Sequence, residues 1–116
     1  MFPLLKNNSY VGIEYTKNIK FSDIAVFKRK KYVIHRIVKI NRDNIITKGD
    51  NNSFFDKPIK KNKIIAKVIK INERDFNLFN NKLIAYISYL QGKVCHSKLK
   101  NKSLDKFFKI LIKILS

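Results

Sequence analysis

The sequence predicts a mainly β, antiparallel domain followed by one or two C-terminal α-helices. Two patterns lead there. Up to Arg74 the apolar residues fall in short runs rich in Ile, Val, Tyr and Phe, broken by clusters of Asn, Asp, Ser and Lys, as short strands joined by turns would be. Beyond Arg74 the apolar spacing changes to steps of three and four, the period of a helix face. A third observation sets the scale: 116 residues, 45% of them apolar, have room for one modest core and are not the composition of a disordered chain.

Each element has its own signal. Ser9 to Tyr15 mixes β-branched and aromatic residues, and Ile24 to Phe27 is a compact apolar run. Tyr32 to Ile40 is the longest strand candidate. It is followed by the polar turn Asn41–Asn44 and a further run from Ile45 to Lys48, the arrangement of an antiparallel hairpin. A loop rich in Asn and Asp spans Gly49 to Pro58, and Ile64 to Ile71 is the last strand candidate. Phe76, Phe79, Leu83, Ile87 and Leu90 then mark one face of a helix that Gly92 is placed to stop. Ser103 is placed to cap a second helix with Leu104, Phe107, Phe108, Leu111, Ile114 and Leu115 on its apolar face. Lys106, Lys109 and Lys113 are interleaved with these residues. Such a helix either packs on its own domain, the favoured expectation, or lies on a membrane surface. The division expected is a β domain over residues 1–73 and a helical extension over 74–116 packed on it.

The formal charge of +18 is spread along the chain, with 17 basic against 6 acidic residues up to Glu73 and 9 against 2 beyond it, so there is no separate basic tail. Solvated surface lysines account for it without a partner, the favoured expectation; the alternative is a basic protein that binds an anionic partner, membrane headgroups, an acidic protein or, less expected, nucleic acid. Cys95 is the only cysteine, which excludes an internal disulfide. Cys95, His96 and His35 lack the spacing of a zinc site, and no metal or other cofactor is expected. No apolar run approaches the ~20 residues of a spanning helix, and Met1 to Leu5 is too short for the core of a signal peptide.

Four segments carry chemistry. Met1-Phe2-Pro3-Leu4-Leu5 opens the chain, and Ser22-Asp23-Ile24-Ala25-Val26-Phe27 leads into a strand. His35-Arg36-Ile37 lies inside the longest strand. Ile46-Thr47-Lys48-Gly49-Asp50-Asn51-Asn52 follows, with Asp56 six residues after Asp50. In this order they resemble the signal-peptidase I and LexA-like superfamily of serine peptidases, closest to its archaeal and endoplasmic-reticulum Ser-His branch. The resemblance covers about residues 1–72, and the combination of TKGDNN and a downstream aspartate with a preceding His-Arg is its most specific part. It implies a LexA- and signal-peptidase-like β fold. It also implies a serine endopeptidase that cleaves precursor or signal peptides bound in extended form against a sheet edge, after small residues.

The residue chemistry is consistent with that implication. A serine hydroxyl is a weak nucleophile until a base takes its proton, and an imidazole with an ordinary pKa near ~6.5 suits that task. The resemblance makes His35 the base, with Asp50 and Asp56 orienting and stabilising the imidazolium; spacing does not say which of the two faces the ring. Read alone, His35 is a half-buried strand histidine, and Gly-Asp-Asn-Asn is ordinary turn chemistry. Arg36 follows on the opposite strand face, where an ion pair is expected. Ser22 and Ala66 stand where the family has glycine.

The family's nucleophilic serine falls immediately before Met1, and its membrane anchor lies upstream again. Two expectations follow: a start placed at an internal methionine of a longer protein, or a degenerate relative that binds peptides without cutting them. In either case the polypeptide as it stands is expected to be inactive, because Ser9, Ser22 and Ser53 lack the surrounding motif. It is expected to be membrane-associated if the full-length protein has an upstream anchor and cytoplasmic otherwise.

Overall fold

The structure, a computed structural model, describes residues 10–71, 74–75, 78–96 and 102–115. The strands are β1 (Val11–Glu14), β2 (Ile24–Lys28), β3 (Tyr32–Asn41), β4 (Asn44–Lys48), β5 (Ile59–Lys60), β6 (Ile64–Ile71) and β7 (Arg74–Asp75). They form one sheet in the order β1-β6-β2-β3-β4-β5, with β7 pairing to β6 and every pairing antiparallel. Two helices follow, α1 (Leu78–His96) and α2 (Lys102–Leu115). The chain is thus mainly antiparallel β with two C-terminal helices, as the sequence patterns predict. Met1–Leu5, Ser9 and Phe76 lie outside the described residues.

The long β-branched runs become strands within a residue of their sequence limits. The Asn41–Asn44 turn closes the β3–β4 hairpin around Arg42 and Asp43, with Arg42 in the left-handed region at φ 55°. The two-residue strands β5 and β7 are too short for any periodicity to reveal.

Both faces of the sheet are covered. Ala25, Phe27, Ile37, Ile45 and Ile64 gather on one face together with Ile19, while Ile24, Val26, Ala66 and Val68 gather on the other. This explains why β2 is buried at four consecutive positions rather than at alternate ones. Ser22, just before β2, has φ 79°, a conformation that costs an L-residue about 1–2 kcal/mol and that glycine adopts freely.

The helices depart from the sequence reading in three ways. First, Gly92 does not stop α1, which continues to His96. Gly92 is buried, and the Phe55 ring lies over its Cα where any Cβ would have to sit. Second, α1 does not bury the Leu83–Ile87–Leu90 face. It turns inward Asn81, Ile84, Ala85, Ser88, Gln91 and Gly92, and Leu90 is exposed. Third, Ser103 lies inside the first turn of α2 rather than ahead of it. Among the described side chains of α2 the buried one is Ile112, which the predicted face omitted, while Phe107, Ile110 and Ile114 are exposed. Hydropathy placed the helices but not their rotation, because Asn81 and Gln91 of α1 have partners inside. Among the described residues no helix is long and apolar enough to cross a membrane.

Alanine at position 92 should expose the packing role of the glycine. Helix propensity favours alanine by about 1 kcal/mol, yet the new methyl would collide with Phe55. Gly92→Ala is therefore expected to lower stability by about 1–3 kcal/mol in urea unfolding, and the same change in a Phe55→Ala background should be neutral or stabilising.

Candidate active site

Consecutive residues of a strand point to opposite faces. In β3 this sends His35 toward the Phe27–Ile37 face, with its ring edge-on to Phe27 at a centroid distance of 6.4 Å, and sends Arg36 toward α1. The loop between β4 and β5, residues 49–58, serves both faces.

On the first face, His35 Nδ1 and Asp56 Oδ2 are 2.5 Å apart. Thr47 Oγ1 donates to the same carboxylate oxygen at 2.7 Å, and the Asp56 backbone N–H donates to the Thr47 carbonyl at 2.9 Å. Thr47 itself is fully buried in β4, so the carboxylate is tied to the sheet through side chain and backbone together. Burial pushes the Asp56 carboxyl up, but hydrogen bonds from His35 and Thr47, with the charges of His35 and Arg29, outweigh it and hold the group below its ordinary value of 3.8. An ionised carboxylate only accepts, so the proton of a neutral imidazole sits on Nδ1 and Nε2 keeps its lone pair.

Nε2 points toward Gly49. A Cβ built there would lie 3.0 Å from Nε2 and 2.8 Å from Asn52 Nδ2, so a glycine lets the imidazole edge and the Asn52 amide both approach this backbone. The Gly49 carbonyl accepts from the Asn52 N–H at 3.0 Å, which closes the turn carrying Asp50. Beside Asp56 lies an open, mostly apolar depression of about 560 Å³ lined by Ile46, Phe55, Asp56, Lys57, Pro58 and Lys93.

On the second face, Arg36 and Asp50 form a bidentate pair, Nε to Oδ1 and Nη2 to Oδ2, both at 3.0 Å and both side chains fully buried. Arg36 Nη1 also donates to Asn81 Oδ1 of α1 at 2.8 Å and to the Ser22 carbonyl at 3.3 Å. The two aspartates that the sequence grouped together are thereby separated. Asp56 contacts the histidine, whereas Asp50 spends both carboxylate oxygens on Arg36 and holds the loop.

Thr47 and Asn81 had no role in the sequence reading. Thr47 was visible inside the TKGDNN box, where a β-branched hydroxyl next to the loop is a natural donor to an aspartate. Asn81 gave no signal beyond being polar within a helix. Among the described residues no cluster of three or more His, Cys, Asp or Glu is placed to hold a metal ion. No known protein family, curated protein or solved structure matches this chain.

The two aspartates should respond differently to removal. Asp50→Ala leaves a buried guanidinium without its carboxylate and is expected to cost about 3–5 kcal/mol in urea unfolding at neutral pH. Asp56 has a native pKa below its unfolded value of 3.8, so its stabilisation is complete above that value and is lost as the pH falls through the native one. The stability gap between the wild type and Asp56→Asn should accordingly shrink when the pH is lowered from 7 to about 3; a constant gap would contradict this ionic role.

Proposed function

We propose that this chain is the catalytic β domain of a serine endopeptidase of the signal-peptidase type. His35 is the general base and Asp56 orients it. The observation that carries this reading is the contact between His35 Nδ1 and Asp56 Oδ2, with the opposite ring nitrogen directed toward Gly49.

The chemistry follows from that geometry. A serine hydroxyl presented to Nε2 loses its proton to the imidazole as its oxygen attacks a peptide carbonyl. The Asp56 carboxylate stabilises the imidazolium that forms. His35 then hands the proton to the departing amine as the peptide C–N bond breaks, and water, deprotonated by the same base, releases the acyl group. In this reading the hydroxyl is that of the serine that the resembled family's motif carries before its methionine, and the substrate is an extended precursor or signal peptide. The apolar depression lined in part by Asp56 supports a peptide partner, since it offers side-chain contact beside the carboxylate that orients the base.

The test is to express the chain with a serine, or an alanine, immediately before Met1 and assay each on precursor peptides. The serine form is expected to cleave, and His35→Gln in that form to lower the rate on the order of 10⁴-fold or more. No cleavage by the serine form, with binding retained, would replace the enzyme reading by that of a peptide-binding relative.

A second surface favours association with a membrane. Phe107, Ile110 and Ile114 form an exposed apolar stripe along α2, flanked by the exposed Lys106 and Lys113. An apolar stripe beside lysines, on a chain of charge +18, suits an anionic bilayer surface. Sedimentation with anionic but not zwitterionic vesicles, lost in Phe107→Ser/Ile114→Ser, is the expected result.

A further inference from the structure

The loop that delivers Asp56 to His35 is gripped along its length. Asp50 is fixed by Arg36. Phe55, the residue before Asp56, lies over Gly92 and is tilted against Tyr89, both of α1, at a centroid distance of 5.9 Å. Midway between the two aspartates, Ser53 Oγ donates to Asp105 Oδ2 of α2 at 2.9 Å. The other oxygen of Asp105 accepts from Gln91 Nε2 of α1 at 2.8 Å, and Lys109, one turn along α2, stands 3.4 Å from the carboxylate. Gln91 is fully buried and its Oε1 has no hydrogen-bond partner among the described residues, so the bond to Asp105 is the one the structure gives for placing an amide there. Asp105 therefore joins the loop, α1 and α2 at one carboxylate, and α1 is itself joined to the sheet through Asn81 and Arg36.

We propose that Asp105 is a positioning residue for the His35–Asp56 pair: α2 holds Ser53, and through it the segment leading to Asp56, so that the carboxylate meets the imidazole. The proposal rests on the peptidase reading only for the use to which the pair is put. Its test reads the geometry of the pair and not hydrolysis, so either can fail without the other.

The test follows the titration of the Asp56 side-chain carboxyl by ¹³C NMR in the full chain, comparing wild type, Asp105→Ala and Ser53→Ala. If Asp105 positions the pair, both variants loosen the hydrogen bonds to Asp56, and its midpoint moves up toward 3.8. A purely electrostatic effect has the opposite sign. Removing the Asp105 carboxylate takes a negative charge away from Asp56 and would move the midpoint down, whereas Ser53→Ala changes no charge. Ser53→Ala is thus the deciding variant, and it also decides the matter if Asp105→Ala fails to fold. A rise in Ser53→Ala supports the proposal; a midpoint unchanged or lowered there overturns it.

Discussion

The arrangement of this domain depends on one buried ion pair. Arg36 and Asp50 face each other with two hydrogen bonds and no exposed surface, and Asn81 and the Ser22 carbonyl take up the remaining guanidinium fork. Such a pair adds little net stability over an apolar pair of the same volume, but it is intolerant of losing either member. Its contribution is geometric: one strand, one loop, one helix and the segment before β2 must all be in place for the charges to be satisfied.

Around that anchor the domain divides its labour between adjacent residues. The strand that aims Arg36 at the helix necessarily aims His35 away from it, onto the face where Thr47 and Asp56 wait. Two carboxylates in one loop then take two environments. One is bound up by a permanent cation; the other meets an ionisable ring and a hydroxyl. Unequal surroundings of this kind let a single loop hold one carboxylate as a structural anchor and leave the other facing an ionisable ring.

The legibility of these features in the sequence varied for physical reasons. Strands β2, β3, β4 and β6 were readable because β-branched runs bounded by Asn- and Asp-rich turns have few other solutions. The helices were readable as helices but not in rotation, since hydropathy cannot foresee that Asn81 and Gln91 turn inward to meet Arg36 and Asp105. Gly92 read as a stop because glycine ends many helices; here it makes room for a ring. His35 stood out in its motif, whereas the choice between Asp50 and Asp56 was hidden, because an irregular loop carries no period from which direction can be read.

The neighbouring placement of His35 and Arg36 also bears on how β3 finds its partners. Sliding this strand by a single residue against β2 and β4 would exchange the faces of every side chain. The guanidinium would then be driven among Phe27, Ile37 and Ile45 with no acid to meet it, and the imidazole would turn toward the helix. An apolar strand of similar length tolerates such mispairing, because one aliphatic residue replaces another. Here the misaligned sheet would strand a permanent charge in an oily environment, so the alternation of these two residues also proofreads the assembly of the sheet.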